Sequence, residues 1–251
     1  MKFGVCSGQK NAPAAQQAGW DFLEENVQSL LKGSEAHWVV PQLQMPVPSA
    51  NSMVPAHIPI VGPNVSHEQL IGYMTNVLSR ASQVGIRTVV FGSGGARNVP
   101  EGFNRHKAVD QITEFLNLIA PLARLNGITI VIEPLNRKEC NIINSVKEAM
   151  TYVKVLNHPN IQCLVDSYHF WLEDEPLENL EAAMPWIRHV HVADKEGRVA
   201  PGVSGQSDYR PFFKVLKQGG YDHLIAVEGR FDWEKDVKST LERLKEDWAA
   251  A

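Results

Sequence analysis

The sequence predicts an α/β chain of the (β/α)8 TIM-barrel class, folded as a single domain over residues 1–251. Two observations point there. Eight short apolar runs, several of them β-branched, alternate with longer amphipathic stretches, so each strand is followed by a crossover and the sheet is parallel. Eight such units in 251 residues match the size at which a parallel sheet closes on itself. A doubly wound open sheet is the alternative. It normally carries a Gly-rich phosphate turn after its first strand, and CSGQKN is not that turn.

The elements follow in order. KFGVCS (2–7) is the first strand, the helix-like NAPAAQQAG comes next, and WDFLEEN (20–26) is the second strand. The stretch 35–63 carries six of the prolines. VPSANSMV (47–54) is its best strand, the third, and the rest reads as loop. Residues 66–85 form a helix with a Ser66 cap and a Gly85 stop, and RTVVFG (87–92) is strand four. A long helix over 104–127 leads to strand five, ITIVIEP. Ser145 and Glu148 have the spacing of a capping box at the head of a helix over 145–156. IQCLVD (161–166) is strand six, 176–187 a broken helix, and RHVHVAD (188–194) strand seven. A helix over 207–220, strand eight at HLIAVEG (223–229) and a helix over 234–248 complete the chain.

Composition narrows the function. The chain is 44% hydrophobic and 21% charged, with a net charge of −4. That balance supplies a core and argues against a nucleic-acid partner, which would call for basic patches. No apolar run approaches the roughly 18 residues of a membrane span, so no membrane partner is expected. Cys6, Cys140 and Cys163 are widely spaced and form no CxxC pair, which suits a reduced, cytoplasmic setting.

Barrel chemistry sits at the C-terminal ends of the strands. Strand five runs through five β-branched residues, Ile128 to Ile132, into Glu133. A carboxylate at the end of so apolar a strand is costly without a partner. Strand six ends at Asp166, with His169 shortly after. Strand seven carries His189 and His191, which share one face, so at most one of them is a direct ligand. Strand eight ends at Glu228. Any one of these alone reads as a cap or a surface charge, but four ligand-type residues on adjacent strands read as a set. Two Glu, one Asp and one His, with no thiolate, suit Mn²⁺ first and Mg²⁺ or Co²⁺ next. Gly92–Gly95 after strand four, with Arg97, and GVSGQS (202–207) are two places where backbone N–H groups could receive a phosphate.

The pieces IEPLNRKE, VDSYHF, HVHVADKEGR and AVEGR resemble the xylose isomerase-like superfamily of sugar isomerases and epimerases, and within it the D-tagatose/D-psicose 3-epimerase and 3-keto-glucoside epimerase branch. The resemblance covers residues 128–230. It implies that Glu133, Asp166, His191 and Glu228 hold one divalent metal, usually Mn²⁺, and that Glu133 and Glu228 double as an acid/base pair. It implies that Glu139, His169 and Arg198 contact the sugar substrate. It further implies proton abstraction next to a carbonyl through an enediolate, giving epimerisation or aldose–ketose isomerisation. Homo-dimers or homo-tetramers are common in this superfamily, and apolar residues in the last helix and in 41–63 are the candidate interface. Three other readings compete. A keto-sugar or keto-inositol dehydratase shares the first step. An AP-endonuclease-like enzyme would need further His ligands on the early strands, where only His57 is near. A non-catalytic accessory barrel would not need the full ligand set.

Overall fold

A computed structural model describes residues 1–251. Its eight strands are β1 (Lys2–Cys6), β2 (Phe22–Asn26), β3 (Ser49–Asn51), β4 (Thr88–Phe91), β5 (Thr129–Ile132), β6 (Ile161–Asp166), β7 (Ile187–Val192) and β8 (Leu224–Val227). They pair in sequence order, all parallel, and β8 pairs back to β1, which closes the barrel. The helices are α1 (Ala12–Ala18), α2 (Val27–Leu30), α3 (His67–Gln83), α4 (Gly94–Arg97), α5 (Arg105–Leu125), α6 (Val146–Leu156), α7 (Ser167–Leu172), α8 (Leu177–Ala183), α9 (Arg210–Gln218) and α10 (Asp236–Ala250).

Local chemistry explains where the crossover helices begin and end. The Ser66, Asn104 and Ser145 side chains accept backbone N–H groups at the heads of α3, α5 and α6. Gly85 and Gly127 follow α3 and α5 with φ of 88° and 65°, a conformation that a Cβ disfavours. Apolar faces of these helices pack onto the strands in one continuous core. Strand side chains alternate between that core and the barrel interior. Val131, Leu164, His189 and Ala226 therefore lie one inward-facing position before Glu133, Asp166, His191 and Glu228 on their strands. The register sets Asp166 level with His191 and His191 level with Ala226, so Glu228 stands one inward-facing position higher.

Three expectations are corrected. The third strand is only Ser49–Asn51, because Pro46 and Pro48 cannot donate and serve as acceptors instead: the Pro46 carbonyl takes the Leu23 N–H and the Pro48 carbonyl those of Arg87 and Thr88. The Pro-rich stretch is not an exposed apolar interface. Met45, Val47, Val54, Ile58, Ile60 and Val61 are buried in the core of the chain itself. The Gly-rich turn after β4 closes into the single helical turn α4, and this sends the Arg97 side chain inward.

Candidate metal centre and active site

Glu133, Asp166, His191 and Glu228 meet at the mouth of the barrel, with one ligand atom from each within 4.8 Å of the others. Glu133 follows β5 and is held by its backbone. Its N–H donates to the Phe91 carbonyl, and its own carbonyl accepts the Arg97 guanidinium at 2.6 Å. Gly92 faces it from β4. A Cβ there would lie 2.1 Å from Glu133 Oε2, so only glycine leaves room for the carboxylate. Asp166 ends β6 and caps α7, its Oδ1 accepting the Tyr168 N–H at 2.8 Å. His191 presents Nδ1 to Glu133 Oε1 at 3.0 Å and to Glu228 Oε2 at 3.4 Å. Glu228 follows β8, takes the Asn51 amide on Oε1 and the Arg198 guanidinium on Oε2 at 2.8 Å.

Crowding three carboxylates in a buried site separates their protonation behaviour. Burial, then the charges of Glu133 and Glu228, push Asp166 up to about 7. Burial and Glu228 also raise Glu133. Glu228 goes the other way: burial raises it, but His191 and Arg198 outweigh that and bring it down to about 2.

These residues fit a divalent cation. Asp166 Oδ2 is buried and has no hydrogen-bond partner. A lone pair so placed is costly unless a cation receives it. Three carboxylates and one imidazole, without thiolate, form a hard donor set of the Mn²⁺ or Mg²⁺ type. Cys6 approaches His191 and Glu24 in a second, smaller group. Burial, followed by the Glu24 charge, pushes its thiol well up, so it stays protonated.

The residues expected to touch substrate surround this centre. His169 is buried, and its Nδ1 accepts the Asn136 backbone N–H at 3.1 Å, which leaves the proton on Nε2. Burial and then Arg198 bring its pKa down to about 3, so the ring is neutral near pH 7. Arg198 stands in the left-handed region at φ 50° and reaches three acids: Glu139 at 3.1 Å, Glu228 at 2.8 Å and Asp166 at 3.8 Å. Its guanidinium also lies over the Tyr168 ring. Glu139 accepts the Asn136 side-chain amide at 2.8 Å. A cavity of about 440 Å³ opens above, with Glu133, Glu139, Arg198 and Glu228 on one side and Gln28, Ser52 and Ser93 among its other lining residues.

Sequence reasoning did not find Glu24 or Asp194, and it gave Arg97 a ligand-binding role that the structure does not support. Glu24, in β2, is fully enclosed and contacts His189 and His191. His189 therefore lies outside the four-residue cluster. Arg97 is also fully buried, bound to the Phe91 and Glu133 carbonyls, and cannot reach a ligand in the cavity. Asp194 fills the second proposed phosphate turn. It accepts the N–H groups of Gly202 and Ser204 and the hydroxyls of Ser204 and Tyr209. His57 is exposed and belongs to neither ligand group.

Comparisons with known proteins agree with the barrel fold. The chain is 28% identical over 134 residues to the 3-dehydro-D-guloside 4-epimerase of Escherichia coli (strain K12), a match covering 53% of this chain and 50% of that protein. It is 34% identical over 107 residues to the ketose 3-epimerase of Arthrobacter globiformis, covering 41% of this chain and 35% of the relative. The first of these matches thus spans half the length of its relative and the second about a third. The crystal structure of a 3-keto-D-glucoside 4-epimerase from E. coli superposes with a TM-score of 0.82 at 22% identity, covering 98% of this chain and 99% of that one. A model of the xylose isomerase-like TIM barrel matches residues 13–247, and the chain belongs to that family.

Proposed function

We propose that the chain is a divalent-metal-dependent epimerase or isomerase that acts on an uncharged ketose or keto-sugar by moving a proton at the carbon next to the carbonyl. The convergence of four donor atoms, among them an Asp166 carboxylate with one oxygen free of hydrogen bonds, beside a polar cavity that Glu133 and Glu228 line, is the observation that carries this reading. The epimerase names of its relatives support it. Glu133, Asp166, His191 and Glu228 would hold the ion, which would polarise the substrate carbonyl and stabilise the negative charge that develops on its oxygens.

The protein's own groups supply the rest. Glu133 on β5 and Glu228 on β8 approach the cavity from different sides of the mouth. In the metal-free site their environments push them apart, Glu133 toward its protonated form and Glu228 toward its ionised form. A pair so separated can act as acid and base. One of the two removes a proton from one face and the other delivers one to the opposite face, and the roles reverse for the back reaction. His169, with Nε2–H turned toward Arg198 and Asp166, donates to a substrate oxygen. Arg198 and Glu139 orient the hydroxyls.

The substrate carries no phosphate in this reading. Arg198 is the one cation lining the cavity, and Glu139 and Glu228 already neutralise it. Arg97 is committed to backbone carbonyls and the 202–204 turn to Asp194. A panel of free ketoses, ketose phosphates and 3-keto-glycosides, followed by NMR in D₂O with Mn²⁺, tests both parts. Deuterium should enter next to the carbonyl of an uncharged sugar. Turnover of phosphate esters alone would overturn the uncharged-substrate assignment, and no exchange across the panel would count against the reaction class.

A further inference from the structure

Glu24 is the least expected carboxylate in the molecule. It sits on β2, two strands from β8 and well away in sequence from the ligand residues, yet its side chain is wholly enclosed inside the barrel. Register explains the approach. Glu24 is level with Cys6 of β1 and Ser49 of β3, and it points across the interior to β7. Its Oε1 lies 2.8 Å from His191 Nε2. Its Oε2 accepts the Ser49 hydroxyl at 2.6 Å and faces His189 Nε2.

The Glu24 carboxylate faces one hydroxyl and two ring nitrogens, and its oxygens are satisfied when they accept from all three. Each imidazole must therefore place a proton on the nitrogen that faces it. For His191 that nitrogen is Nε2, and with the ring neutral the lone pair falls on Nδ1, which points at Glu133, Glu228 and the space beside Asp166. For His189 the same choice leaves Nδ1 without a partner, a buried cost that the contact with Glu24 has to offset. Ser49 fixes the carboxylate from the third side, so the ring of His191 has one orientation open to it.

We infer that Glu24 is a positioning residue of the metal centre: from beneath, it fixes the tautomer and ring orientation of His191 that turn Nδ1 toward the cation, with His189 and Ser49 holding Glu24 in place. This rests on the metal-dependent reading above. A carboxylate behind a ligand histidine raises its basicity, and losing it typically costs about 10–100-fold in metal affinity.

Calorimetric titration of Mn²⁺ into the metal-free chain separates the two. Wild type should bind one ion. If it binds none, the metal-dependent reading fails before Glu24 is at issue. If wild type binds, E24Q should bind about 10–100-fold more weakly, while its far-UV circular dichroism stays that of wild type. Equal affinity in a folded E24Q overturns the positioning role. Should E24Q not fold, ¹⁵N NMR of His191 in wild type with Mg²⁺ decides. A proton on Nε2 supports the inference, and a proton on Nδ1 overturns it.

Discussion

Asp166 shows at the level of one residue why the site suits a cation. Its Oδ1 caps α7, while Oδ2 is buried, without a hydrogen bond and beside two other carboxylates. Raised from 3.8 to about 7, it binds a proton in the folded chain that the unfolded chain has already released. Stability of the metal-free protein should thus be full near pH 4 and fall as pH rises toward 7. Asp166→Asn keeps the cap and removes the charge. In urea melts of metal-free protein, the variant should match wild type near pH 4 and exceed it by a few kcal/mol near pH 8. It should also fail to bind Mn²⁺. A variant less stable than wild type at both pH values would mean that Asp166 is an ordinary structural acid. Glu133, Asp166, His191 and Glu228 were legible as candidates because four ligand-type residues fall at or near the ends of adjacent strands. Glu24 was not. In WDFLEEN it stands beside a second glutamate and looks like one of two surface charges. Only the pairing of β2 with β1 and β3 decides that it faces inward.

At the level of the element, the strands and crossover helices follow from periodicity and caps, and most boundaries fall within a few residues of those read from the sequence. The short pieces do not. VPSANSMV shrinks to three residues of strand because its neighbouring prolines cannot enter the ladder. SGGAR looks like an anion-binding turn, since glycines and an arginine carry that meaning locally. Its actual role depends on contacts distant in sequence: α4 turns Arg97 into the core to join the end of β4 to the end of β5. Arg97 thereby sets the height of Glu133 above the barrel. Arg97→Ala leaves two carbonyls without that donor, at a cost of roughly 3 kcal/mol. Thermal melts should show that loss, and kcat should fall in the fraction that remains folded. A variant as stable as wild type would mean that the β4–β5 link is held by the strands alone.

For the whole molecule, one closed barrel gives the fold its own apolar core and leaves the polar layer at the mouth for chemistry. No helix is long and apolar enough to cross a membrane. Because the core does not involve the ligand residues, chelation should leave the circular dichroism of the barrel unchanged while turnover stops. Added Mn²⁺ should raise the melting temperature in proportion to its binding. The four strand ends that deliver Glu133, Asp166, His191 and Glu228 converge only because the sheet closes, which joins the fold to the function in one step. Deuterium exchange on the active sugar in D₂O with Mn²⁺ tests that account most directly, with wild type set against Glu133→Gln and Glu228→Gln. The account predicts that wild type exchanges the hydrogen next to the carbonyl and that each variant loses roughly 10²–10⁴-fold in rate. Exchange at the wild-type rate in both variants would contradict it.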